Sequence, residues 1–397
     1  MAQHLMILPT LVCPAECAYC FGPHAASPRM GRAVVEAAAG WQAAENPGEA
    51  LEITFHGGEP LAAGVDFYRW ALPLLTGQLR RRRLRLGLQS NLWLLTDELC
   101  DLFAEQGVSL GTSLDGPEAI NDAQRGAGYF QRTMAGIRRA RAYGLEVSCI
   151  CTFTAQSAPY ADEIYDFFAG QGLNFSVHAA LPGLAAADGR WALSAEDYGV
   201  LLEKLLECYL ADLPKLRIGT LDAICWGISA GCGGLCTFSD CLGRYLAVDP
   251  QGWVYACQRF AGRVEHRLGN VLDQPGQANF PRSPAWQRLQ VRQQRVAEEC
   301  AGCPHFKYCR GGCPYNSLAA GVPLGRDPYC PAYQRIFNTV IERAVGEVFS
   351  TENMQAVLAQ AGGKAGLLRK GALLQIMRSR THQCLDKVSY GELQSAS

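Results

Sequence analysis

The chain has 397 residues, 49% of them hydrophobic and 18% charged, with a formal net charge of −1. That length can bury a large core and build two or three domains, and the near-zero charge argues against nucleic acid or an acidic membrane surface as partner. Eighteen cysteines in so long a chain, with no export signal, point to reduced thiolates holding metal in a cytoplasm rather than to disulfides.

The N-terminal "MAQHLMILPTLV" is apolar over a stretch too short to span a membrane, and it lacks the charged start and cleavage site of a signal peptide. It predicts a first strand that leads straight into Cys13. From residue 5 to about 180, β-rich runs ("LMILPTLV", "LEITFHGG", "LRLGLQSN", "VSLGTSLDG", "LEVSCICTFT", "LNFSVHAAL") alternate with helical ones such as "TDELCDLFAEQG" and "YFQRTMAGIRRARAYG". The alternation predicts an α/β fold of βα units, a partial TIM-like barrel of six repeats over residues 1–190. Active sites of such folds lie at the carboxyl ends of the strands, where Cys13, His56 to Pro60, Ser113 and Asp115 fall. The charge run "LRRRRLRL" at 79–86 reads as a solvated helix end. A helical bridging segment is expected over 191–231, a small irregular Cys-rich domain over 232–335, and C-terminal helices with a polar tail over 336–397.

The first group of cysteines, "CPAECAYC", spaces Cys13, Cys17 and Cys20 as C-x3-C-x2-C. Four thiolates would close the coordination of a metal centre, whereas three leave one position open to a non-protein ligand. A zinc site completed by a distant ligand such as His24 is the alternative. The second group runs C-x10-G-x4-C from Cys241 through Gly252 to Cys257, then "CAGCPHFKYCRGGC", which is C-x2-C-x5-C-x3-C over Cys300, Cys303, Cys309 and Cys313, and finally Cys330. Zinc ribbons are the alternative there.

With Tyr19 just before its last cysteine, the first triplet resembles that of the radical S-adenosylmethionine enzymes. "FHGGEP" at 55–60 resembles their second-strand motif, and "SLDGP" at 113–117 with "NDAQR" ending in Arg125 is similar to the fourth-strand region of their peptide- and protein-modifying branch. The second group resembles the SPASM extension, which carries auxiliary iron–sulfur clusters. The resemblance implies three 4Fe-4S clusters and S-adenosylmethionine as cofactors. The first cluster would be held by Cys13, Cys17 and Cys20, its fourth iron chelated by the methionine end of the cofactor. It implies cofactor contacts from Tyr19, from Gly57 and Gly58 at a glycine edge, from Glu59 to the ammonium group, from Ser113 to the ribose and from Arg125 to the carboxylate or ribose. One auxiliary cluster would take Cys236, Cys241, Cys257 and Cys313, with Cys232 competing with Cys236, and the other Cys300, Cys303, Cys309 and Cys330. Among the remaining cysteines, Cys149 and Cys151 share one strand face and have no assigned role.

The function so implied is a maturase that abstracts hydrogen from a residue of a ribosomally synthesised peptide, giving a cross-link or an oxidation. An external donor such as flavodoxin or ferredoxin would feed it electrons. Many such relatives carry a leader-peptide-binding domain before the triplet. With twelve residues ahead of Cys13, leader recognition is expected from the main body or from a separate protein. Two alternatives stay open. A ferredoxin-like electron carrier would need neither the glycine edge nor an open iron. The anaerobic sulfatase-maturating enzymes, which make formylglycine, share both cysteine groups but carry an aspartate after the cysteine that ends G-x4-C. That carboxylate suits the task of general base. Here the position is Gln258, and an amide cannot take that proton, so His178 or His56 would have to replace it.

Overall fold

The computed structural model describes residues 3–350 other than 23–25, 46–48, 183–188, 212–215 and 274–276. His24 and the polar tail therefore lie outside the described residues. Six strands, β1 (Gln3–Thr10), β2 (Ala50–Gly57), β3 (Arg83–Gln89), β4 (Val108–Ser113), β5 (Val147–Phe153) and β6 (Phe175–Ala179), pair in parallel in the order β6-β5-β4-β3-β2-β1. Helices α1 (Arg32–Ala44), α2 (Val65–Gln78), α3 (Asp97–Gln106), α4 (Glu118–Arg125), α5 (Tyr129–Ala142) and α6 (Ala161–Gln171) connect them. This is the open, partial barrel that the alternation predicted.

Local signals set the helix limits. Thr96 caps α3 by accepting from the Leu99 amide, Asp97 and Glu98 lie in its positive first turn, and Gly107 ends it in the left-handed region at φ 64°. The run at 79–86 departs from expectation at one residue. Arg82 is buried, and its guanidinium donates to the carbonyls of Gln42 (3.0 Å) and Glu45 (3.3 Å). It gathers carbonyls that the end of α1 leaves without helical donors.

Because side chains alternate across a strand, the parallel register assigns each position a face. Ile7, Phe55, Leu88, Leu110 and Val147 are joined through successive strand pairings and are buried. Phe55 packs edge-to-face on Phe67 and Tyr68 of α2, so this face meets the helices. The opposite face carries Met6, His56, Gln89, Ser113, Thr152 and His178, one from each strand, and all six line the central cavity. Cys149 and Cys151 alternate with Ile150 and Thr152, so they belong to the helix-facing side, where both are buried.

After α7 (Ala195–Ala211) and α8 (Gly219–Ala230), the chain returns to the sheet. Strand β7 (Tyr245–Val248) pairs in parallel with β1, and β8 (Trp253–Tyr255) and β9 (Gly269–Asn270) add antiparallel strands outside it. The sheet is thus continuous from the barrel into the Cys-rich region. Helix α9 (Pro284–Glu299), with Ser283 as side-chain cap and proline at its first position, precedes the short α10 (Phe306–Cys309) and α11 (Pro314–Ala319). Helix α12 (Cys330–Ser350) packs against α7, where Arg335 pairs with Glu203 at 2.6 Å. Among the described residues no helix is long and apolar enough to cross a membrane.

Candidate active site

An open-mouthed cavity lies over the carboxyl ends of the strands. Cys13, Cys17 and Cys20, which follow β1, line it together with Gly57, Gly58, Glu59, Ser113, Arg125 and Tyr19. The structure therefore brings together every residue the sequence assigned to the first cluster and the cofactor.

The reasons for several of these residue types differ from the expected ones. A Cβ on Gly57 would sit 2.4 Å from the Thr10 carbonyl oxygen, and one on Gly58 2.5 Å from those of Leu11 and Val12. It is the approach of β1's own backbone that demands glycine, with Gly57 also at φ 121°. The Gly58 and Glu59 amides then donate to Thr10 and Val12 at 3.1 and 2.8 Å, clamping the start of the cysteine loop. The Glu59 carboxylate is buried and accepts from Ser90 Oγ (2.7 Å), the Asn91 amide (2.8 Å) and the Leu61 amide (2.9 Å). Burial lifts its pKa to about 7 despite those three donors. Ser113 Oγ accepts from Gln89 at 3.2 Å.

Arg125 is held by Asp115 through two parallel bonds of 2.7 and 2.8 Å. Asp115 is fully buried and also accepts from the Tyr19 hydroxyl (2.6 Å) and the Thr152 amide (2.8 Å). The guanidinium lies 5.4 Å from the Tyr19 ring and reaches Cys17 Sγ at 3.8 Å. Its contacts thus run to the cysteine loop. Sequence reasoning missed Asn91, whose Nδ2 is buried without a hydrogen-bond partner and which lines the cavity. Its place directly after β3 was the available signal. An unpaired donor beside three thiols and a glycine edge fits a polar cofactor.

The second group also assembles. Cys236, Cys241, Cys257 and Cys313 line a second cavity, and burial first, then repulsion from the other three thiols, raises the Cys241 thiol pKa. Cys236, not Cys232, is the upstream cysteine that lines it. Cys236, Cys257 and Cys313 line the central cavity too, so the two spaces adjoin. Cys300, Cys303, Cys309 and Cys330 form a further set: burial first raises the Cys300, Cys309 and Cys330 thiols, and Cys303 is among the charges that repel Cys300 and Cys330. Among the described residues no three His, Cys, Asp or Glu side chains converge tightly enough to grip one ion. Two charged residues that the spacing did not reveal hold these loops. Arg292 of α9 donates to the carbonyls of Gly311 and Gly312 at 3.2 Å and of Gly325 at 3.0 Å. Buried Asp327 accepts from the Cys313 amide at 2.8 Å.

Residues 7–168 match the model of the radical SAM superfamily. An uncharacterised protein of Methanothermobacter thermautotrophicus is 46% identical over 56% of this chain and 85% of its own length. The chain belongs to the radical SAM superfamily. It is a radical SAM enzyme, and membership implies S-adenosylmethionine and a 4Fe-4S cluster. A serine-type anaerobic sulfatase-maturating enzyme of Klebsiella aerogenes is 29% identical over 85% of both chains. In fold the enzyme is similar to native anSMEcpe with bound AdoMet and a Cp18Cys peptide, with a TM-score of 0.76 at 23% identity over 88% of this chain and 99% of that one.

Proposed function

We propose that this radical SAM enzyme oxidises a side chain of a peptide or protein in the manner of the sulfatase-maturating enzymes, converting a serine or cysteine to formylglycine. The observation that carries the reading is the 29% identity to a serine-type maturating enzyme along 85% of both chains. A cavity lined by both the first cysteine triplet and Cys236, Cys257 and Cys313 supports it. Of the two peptide-modifying readings the sequence left open, the relatives thus favour the second. Cys13, Cys17 and Cys20 would hold the cluster that binds S-adenosylmethionine, and the two sets of four cysteines would hold auxiliary clusters in a SPASM domain spanning 232–335. When bound, these groups supply a 5′-deoxyadenosyl radical and a sink for one electron. The chain's own residues have the rest of the work. Glu59, Asp115 and Arg125 fix the loops around the cofactor, and the cavity wall holds the substrate side chain.

The bound cofactor would supply the radical that removes a hydrogen atom from the substrate's Cβ and an auxiliary cluster would take the remaining electron, while the hydroxyl or thiol proton needs a base. A cysteine substrate would then exchange its sulfur for water's oxygen, releasing hydrogen sulfide. Gln258 lines the cavity but cannot accept that proton. His56 Nδ1 already accepts from the Gly57 amide at 2.9 Å, which fixes its proton on the other nitrogen. His178 lines the same cavity at the end of β6 and is assigned the base. Electrons would come from an external flavodoxin or ferredoxin in a cytoplasm. The test is anaerobic incubation of the reconstituted enzyme with reductant, cofactor and a sulfatase-motif peptide carrying serine or cysteine. Formylglycine should form in step with 5′-deoxyadenosine. His178→Ala should lose formylglycine while still cleaving the cofactor. Cofactor cleavage with an unchanged peptide would sink the formylglycine reading and return weight to peptide cross-linking, the reading that Gln258 favours.

A further inference from the structure

Resting on the reading that this cavity oxidises a protein side chain, we propose that Arg259 is an anion-binding subsite, so that the substrate carries a carboxylate side chain beside the residue to be oxidised. Arg259 follows Gln258 and lines the central cavity. Its guanidinium donates to a neutral group, Asn316 Oδ1 at 3.2 Å. Two aromatic rings hold its guanidinium, Phe21 at 5.5 Å and Tyr315 at 5.6 Å. A guanidinium has five N–H donors in a planar fork that matches a carboxylate.

The other charges of the cavity wall are matched within the protein. Arg125 is paired with Asp115, and Glu59 accepts three hydrogen bonds. Burial first, and Arg259 among the neighbouring charges, hold His56 near pKa 4 and His178 near 3, so both rings are neutral at pH 7. Among the described residues no carboxylate lies within ion-pair distance of Arg259. Among the described residues the cavity therefore offers an incoming peptide one side-chain cation without a carboxylate of its own, at the position next to the expected aspartate. A carboxylate docked there would also offset one of the charges that, after burial, depress His178. The competing anion is local. The thiols of Cys313, Cys257 and Cys236 lie close enough to act on Arg259, and the auxiliary cluster itself could take up its charge.

The experiment is anaerobic calorimetry of the reconstituted enzyme with S-adenosylmethionine and two blocked pentapeptides, Gly-Zaa-Cys-Zaa-Gly, in which Zaa is glutamate or glutamine. The glutamate peptide should bind about tenfold more tightly or better. Arg259→Gln should erase the difference, and Arg259→Lys, which keeps the charge but not the fork, should retain part of it. Iron content of each variant establishes that the clusters are loaded. Equal binding, no binding of either peptide, or a preference that survives in Arg259→Gln overturns the proposal. So does a change confined to the auxiliary cluster's midpoint potential, which would assign Arg259 to the cluster. Formylglycine is scored separately. An acidic peptide that binds tightly but stays unoxidised counts against the oxidation reading and leaves the anion subsite standing.

Discussion

Asp115 shows how one buried residue can organise a site without touching its chemistry. Its carboxylate ties together Arg125 at the end of α4, Tyr19 in the cysteine loop and the amide of Thr152 on β5. Ion pair and ring stacking then bring a guanidinium to Cys17 Sγ. The pair is almost wholly shielded from water, so breaking it from one side leaves an uncompensated charge in a poorly solvated place. Asp115→Asn should therefore lower stability by about 3–5 kcal/mol, read as a shift of the urea midpoint of the loaded enzyme. Asp115→Asn with Arg125→Met should cost less than Asp115→Asn alone, because the stranded charge is gone. A single variant that unfolds at the wild-type midpoint would remove the pair from any account of this site.

At the scale of elements, each cysteine set is carried by different parts of the fold. The first triplet hangs from β1 and is clamped by the turn after β2. The set around Cys241 joins the strand β7 region to α11, and the last set lies between α9 and α12. Independent supports make independent losses. Replacing Cys13, Cys17 and Cys20 together by alanine should leave a folded protein with about eight irons, four for each auxiliary cluster, and no cofactor cleavage. Iron analysis that returned about twelve per chain would contradict the proposed division of ligands.

For the whole molecule, the continuous sheet sets where order depends on metal. Few long apolar runs lie between 232 and 335, so ligation is expected to hold that region. The hairpin of β7 and β8 is different. It is bonded to β1, and Leu246, Ala247, Val248 and Val254 are buried in the common core. Stripping iron should thus expose 300–330 to protease first, while 245–255 survives with the barrel. Fragment mass spectrometry of the digested apo protein checks this, and early cuts inside β1 to β6 would count against it.

The six parallel strands and the helices between them were legible in the sequence because each is written in short-range terms: period two or 3.6 marks an element. The division of the cysteines into sets came from a family resemblance and not from any local pattern. What the sequence did not carry is non-local. Strand β7 joins β1 across most of the chain, the register puts His56 and His178 on one wall, and the glycines of "FHGG" answer to the backbone of β1. Arg259, Asn91 and Asp327 are ordinary residues in their own segments. They acquire roles only where folding removes their water and decides which partners remain, and that depends on contacts between segments whose pairing no local pattern specifies.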